Sequence, residues 1–208
     1  MLDTRLRGLI DPPLDRIGAM LARRGVGADT LTLVGFIFGL LAMVSIMVEA
    51  YAAALLLLAA NRIADGLDGA VARRTRPTDL GGFLDIVLDF IVYAGLVFAF
   101  AVADPVANAW AAAFLLFAFI GTGSSFLAFA VMAAKRRIST ELRGRKSLYY
   151  LGGLTEGTET ILFLILVCLL PDWFAGLAIA FGVLCWLTTA GRVAEGYQLL
   201  REGRDRAA

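Results

Sequence analysis

Residues 61–89 read NRIADGLDGAVARRTRPTDLGGFLDIVLD and place four carboxylates, Asp65, Asp68, Asp85 and Asp89, between two long apolar runs. Charge inside such a run is expensive, roughly 2.5–3.5 kcal/mol per residue at the centre of a span. Asp65 and Asp68 are i, i+3, and Asp85 and Asp89 are i, i+4, so on helices each pair projects from one face. Asn61, Asp65, Asp68, Gly69 and Ala72 share a face of the first helix, and Arg73 follows one turn after Gly69. A hairpin of two helices would gather the four carboxylates near one membrane boundary.

The surrounding chain reads as an all-α integral membrane protein. Of its 208 residues 60% are hydrophobic and 18% charged, with mean hydropathy +0.79, well below the charge content of a soluble domain. Six runs approach or exceed the length needed for a roughly 30 Å apolar layer. They fall at about 30–48, 51–74, 80–103, 107–135, 150–170 and 173–200, in one domain spanning 1–208. Before them, residues 1–12 read as an irregular basic lead. Pro13 opens an expected amphipathic helix in the interface, striped by Leu14, Ile17, Met20 and Leu21. The N-terminal MLDTRLRGLIDPP lacks the apolar core and cleavage site of a signal peptide.

Charge sets the expected orientation. Of 19 basic residues, 17 lie in the N-terminal segment, the 74–80 turn with Arg73, the loop after the fourth run, or the tail. The opposite breaks, around 49–50, 104–106 and 171–172, contain no Lys or Arg. The positive-inside rule then puts both termini and all four aspartates on the cytoplasmic side of an inner membrane. Because topology accounts for the basic residues, they give no reason to expect a nucleic-acid partner. Two basic residues remain inside the runs, Arg62 and Arg192.

The residue types narrow the chemistry. Histidine is absent, which excludes His-based triads and His metal ligation. Cys168 and Cys185 both lie in apolar runs and read as filler. A general base must therefore be a carboxylate or a lysine. Like charges this close require protonation or cations, and an all-oxygen set suits Mg2+ or Mn2+. Two such ions would balance four carboxylates, an arrangement suited to displacement at phosphorus. The glycines leave the helix faces open to a bulky group, and Arg73 is suited to a phosphate.

Asp65-x-x-Asp68-Gly69-x-x-Ala72-Arg73, then seven residues, then Gly81-x-x-x-Asp85-x-x-x-Asp89 resembles the signature of the CDP-alcohol phosphotransferases. The likeness covers essentially the whole chain. It is greatest to a short bacterial inner-membrane branch, through FIGTGSSFLAFA at 119–130 and the 146–162 stretch. The resemblance implies transfer of a substituted phosphate from a CDP-linked donor to an alcohol, with release of CMP. It implies metal ligation by Asp65, Asp68, Asp85 and Asp89, with Asp89 as the general base. CDP contacts would come from Asp65, Asp68, Gly69, Ala72, Arg73, Gly81 and Thr32, the last within Asp29-Thr-Leu-Thr32 ahead of the first run.

CDP-diacylglycerol is the expected donor, and a small polar alcohol or alcohol phosphate the expected acceptor. Arg137, Lys146, Arg192 and Glu156 are the candidates for holding that acceptor. Gly152-Gly-Leu-Thr-Glu156-Gly-Thr-Glu159-Thr resembles the G-G-L-x-E-R-x-E-R of inositol-phosphate-using relatives, with Gly157 and Thr160 in place of the arginines. Glu156 and Glu159 are therefore expected to bind hydroxyls or to pair with Arg192. A homodimer is implied by the family, and the small residues Gly121 to Ser125 suit helix packing. Phosphatidylglycerol as acceptor, giving cardiolipin, is the alternative within the class. A divalent-cation transporter is the alternative outside it, but the first, third and fourth runs lack the midplane polar residues it would need.

Overall fold

A computed structural model describes residues 2–135 and 153–205, and side chains within 12–135 and 153–201. Among the described residues the regular structure is all helical, with no strand. The helices are α1 (Leu2–Arg23), α2 (Ala28–Met47), α3 (Tyr51–Ala72), α4 (Asp79–Ala103), α5 (Pro105–Lys135), α6 (Gly157–Leu169) and α7 (Phe174–Asp205). A single 3-10 turn, Pro171–Trp173, separates α6 from α7.

Local chemistry accounts for the joints. Between α2 and α3 the chain reverses within three residues, and Glu49 adopts a left-handed φ of 60° to do so. Thr78 caps α4 by accepting from the Gly81 amide at 3.0 Å. Asp104 alone separates α4 from α5; its carboxylate accepts from the Ala107 amide at 3.0 Å, and Pro105 follows at the first helical position, where no donor is needed. That cap shortens the expected 104–106 break to one residue.

Two expectations need correction. The chain before Pro13 is helical, and α1 runs through both Pro12 and Pro13. Proline's fixed φ is itself helical, so proline weakens a helix through a lost donor and a clash without dictating its end. The fifth run, expected as helix from about 150, is helical among the described residues only from Gly157, because residues 153–156 are non-helical. The acids in that stretch serve as its cap instead.

Among the described residues four segments are long and apolar enough to cross a membrane: α2, α4, α5 and Pro171–Arg201. Among the others, α3 has the length but carries Arg62, Asp65 and Asp68. With 13 residues α6 spans only about 20 Å. Large apolar side chains cover the outside, including Leu56, Phe117, Ile120 and Val131. An aqueous surface rarely tolerates such coverage. Trp110 and Trp173, 90% and 69% exposed, flank the end carrying the α4–α5 and α6–α7 turns, as in an interfacial aromatic belt.

Inside, α2 packs on α3 and α4, α4 on α5, and α5 on α7, while α1 lies against α3. Close approach is set by glycines. A Cβ on Gly39 would stand 2.5 Å from Val92, and one on Gly123 would stand 2.7 Å from Phe90. Gly121 similarly meets Thr189 and Trp186, so Gly121 and Gly123 serve packing within the chain. One end is closed by stacked rings, Tyr51 on Phe100 at 5.7 Å and Phe100 on Phe174 at 4.4 Å. At the other end α3 finishes and α4 starts, and there the carboxylates lie.

Candidate functional site

The geometry follows from the α3–α4 hairpin. Asp65 and Asp68 occupy the last two turns of α3, and Asp85 and Asp89 the second and third turns of α4. Asp65, Asp68 and Asp85 bring one carboxylate oxygen each within 4.8 Å of one another. Three convergent oxygens with no nitrogen or sulfur fit a hard divalent cation. Asp68 is buried, Asp65 half-buried and Asp85 exposed, so the cluster has a closed and an open side. The buried Asp68 accepts a 2.6 Å hydrogen bond from Thr32 on α2.

Asp89 takes a different partner. Arg62, one turn before Asp65, reaches its Oδ1 with Nη2 at 2.6 Å and its Oδ2 with Nη1 at 3.3 Å. Arg62 Nη1 also donates to the Tyr93 hydroxyl at 2.7 Å, and that hydroxyl donates to Asp89 Oδ2 at 3.1 Å. Arg62 Nε donates to Asn61 Oδ1 at 2.7 Å, and the amide of that buried asparagine donates to the Gly35 carbonyl at 2.8 Å. The guanidinium is thus fixed by groups from α3 and α4, and its Asn61 partner is in turn tied to α2.

A small cavity is lined by Thr32, Asn61, Arg62, Asp65, Asp68, Asp85 and Asp89, with Gly35, Phe36, Leu88 and Val92 as its apolar wall. Gly69, Ala72, Arg73 and Gly81 are not part of that lining. Arg73 folds back beside Gly69 and pairs with Asp15 of α1 at 3.0 Å, both side chains being largely exposed. Gly81 faces Asp29, whose carboxylate would lie 3.0 Å from an added Cβ.

The acceptor candidates are elsewhere. Arg137 and Lys146 lie outside the described residues. Glu156 and Glu159 form a reciprocal capping box at the start of α6: Glu159 accepts from the Glu156 amide at 3.1 Å, and Glu156 also accepts from the Gly153 amide at 2.9 Å. Neither acid pairs with Arg192, because the free amides of a helix start claim them first. Thr188 holds the same loop, accepting from the Leu154 and Thr155 amides at 3.1 and 3.0 Å.

Arg192 is buried, donates to the Thr122 carbonyl at 3.2 Å and lies 5.6 Å from the Phe126 ring centroid. Among the described residues its Nε has no hydrogen-bond partner and no carboxylate pairs with it.

The sequence alone assigns no role to Arg62 or Tyr93 and places Asn61 only on a helix face. The available signal was Arg62 itself, a lone basic residue within an apolar run and one turn from a carboxylate.

Residues 26–191 match the family model for CDP-alcohol phosphatidyltransferase. The Inner membrane protein YnjF of Escherichia coli is 55% identical over 201 residues, covering 97% of this chain and 98% of that one. An Archaetidylinositol phosphate synthase of Pyrococcus horikoshii is 31% identical over 201 residues, covering 96% and 99%. One from Methanothermobacter thermautotrophicus is 44% identical over 85 residues, 40% of each chain.

Proposed function

Since the chain belongs to the CDP-alcohol phosphatidyltransferase family, a class of membrane transferases of phospholipid biosynthesis, we propose that it moves the phosphatidyl group of CDP-diacylglycerol to a small polar alcohol or alcohol phosphate. The observation that carries this reading is the convergence of Asp65, Asp68 and Asp85. Mg2+ or Mn2+ bound there would supply charge neutralisation for the donor's pyrophosphate and its leaving group. Asp68 is steadied by Thr32, and the open side at Asp85 admits the donor.

The acceptor oxygen forms a bond to the lipid-bearing phosphorus, the bond from that phosphorus to the CMP oxygen breaks, and CMP leaves with the electron pair. Asp89 takes the hydroxyl proton. Gly69, Ala72, Arg73 and Gly81 hold the cytidine and its phosphates. Arg73 can exchange its exposed Asp15 partner for phosphate at little cost, because exposed ion pairs are weak.

A phosphate-bearing acceptor is supported by Arg192. A buried guanidinium with an unsatisfied Nε and no carboxylate partner among the described residues is suited to an anion. That the archaeal relatives are archaetidylinositol phosphate synthases supports the same reading.

The protein acts as one membrane domain with six crossings, α2 to α7, and α1 lying in the interface. It sits in the inner membrane with both termini and the site cytoplasmic, as the basic residues suggest. It works as a homodimer, as does its family. The test is to incubate the purified full chain with CDP-diacylglycerol, Mn2+ and a panel of polyols and polyol phosphates. CMP release, abolished by a chelator and restored by metal, with a new phospholipid, is expected. No CMP with any CDP donor would overturn the proposal.

A further inference from the structure

Arg62 makes a contact that the transfer reaction as described leaves unused. Its Nη1 lies 3.7 Å from Asp65 Oδ2 and 3.3 Å from Asp89 Oδ2, so the guanidinium bridges a carboxylate of α3 and one of α4. A second divalent ion shared by these two aspartates would need that place. Pairs of catalytic ions stand about 3.5–4 Å apart, and a fixed positive charge between Asp65 and Asp89 repels a newcomer at such range. Arginine does not give up its charge by losing a proton.

The group is also held firmly. Asn61 anchors its Nε, Tyr93 accepts from Nη1, and its side chain is only 14% exposed. From this geometry we propose that Arg62 is the second cation of the centre: it replaces a second divalent ion between Asp65 and Asp89 and positions Asp89, leaving one ion for Asp65, Asp68 and Asp85.

Positioning follows from counting acceptor sites on Asp89. A carboxylate offers about four lone-pair directions. Two on Oδ2 are used by Arg62 Nη1 and Tyr93, and one on Oδ1 by Arg62 Nη2. A single direction on Oδ1 is left for the proton of the acceptor hydroxyl. The role of Asp89 as base rests on the function proposed above, whereas the ion count does not.

The experiment measures Mn2+ bound per chain by calorimetry, and Mn–Mn exchange coupling by electron paramagnetic resonance, on the full chain in detergent. The wild type is expected to bind one ion without coupling, and Arg62→Ala to admit a second. With CDP-diacylglycerol, kcat of Arg62→Ala is expected to fall about 100-fold, the scale of a misplaced general base, while the donor KM changes less than about threefold. Arg62→Lys keeps the charge but not the fork, so it retains one ion without recovering kcat. Tyr93→Phe removes one bond to Asp89 and gives a milder loss of kcat with one ion bound, should Arg62→Ala fail to fold. Two ions per wild-type chain, or an Arg62→Ala variant with undiminished kcat, would overturn the proposal. One ion with no CMP release from any donor would instead strike the functional reading and leave the Arg62 bridge standing.

Discussion

At the scale of single residues, the site depends on side chains that hold the acids as much as on the acids. Thr32 reaches the buried Asp68 from another helix at 2.6 Å. Such partners of a ligand are worth 10- to 100-fold in metal affinity. Thr32→Val is therefore expected to weaken Mn2+ binding by about tenfold or more, read by calorimetry, with the fold intact by circular dichroism; unchanged affinity would remove Thr32 from the metal's support. Arg192 gives a second prediction. Arg192→Lys is expected to raise KM for a phosphorylated acceptor about tenfold, the worth of a charge-assisted hydrogen bond, with KM for CDP-diacylglycerol unchanged. An equal effect on both substrates would mean that Arg192 serves packing alone. The four aspartates were legible as a site because each pair is local in the chain. The bond from Thr32 to Asp68 spans 36 positions and Arg62 to Asp89 spans 27, and no helical period encodes those.

At the scale of elements, glycine placement controls how closely helices pack. A valine at Gly39 would force its Cβ to 2.5 Å from Val92 in the α2–α4 contact. Gly39→Val should cost about 1–3 kcal/mol through overpacking, seen as a lower thermal midpoint in detergent. Gly176→Ala in α7 meets nothing within 4 Å and should be neutral, or stabilising by about 0.5–1 kcal/mol from helix propensity. If the two variants melted alike, the α2–α4 approach would not be glycine-limited. Most helix positions were readable from apolar runs and turn residues: α2, α3 and α4 start and end within about two residues of the runs that mark them. The lapses at α1 and α6 came from chemistry that hydropathy does not see. Proline keeps a helical φ at Pro12 and Pro13, and two glutamates cap α6 at Gly157 where an apolar run suggested helix already under way.

At the scale of the whole molecule, the stacked rings of Tyr51, Phe100 and Phe174 close one end and the carboxylates occupy the other. Sidedness makes this testable in cells. Val106, 97% exposed at the start of α5, belongs to the end with Trp110 and Trp173, while Arg76 lies exposed in the turn between α3 and α4. The native Cys168 and Cys185 are buried. Val106→Cys is expected to react with a membrane-impermeant maleimide in intact spheroplasts, and Arg76→Cys only after permeabilisation. The reverse pattern would place the carboxylate end outside.

What the amino-acid sequence by itself determined was the helical membrane class, the charge asymmetry of its ends, and the acidic stretch at 61–89 as the candidate site. These are properties of composition and of spacing within single helices, where i, i+3 and i, i+4 geometry is the same in any fold. Tertiary structure alone decided how the four acids divide. Asp65, Asp68 and Asp85 converge, whereas Asp89 goes to Arg62 and Tyr93. That division depends on the distance and rotation between α3 and α4, set by glycine contacts and by the rings at the far end, and pairings across helices have no signature within either helix.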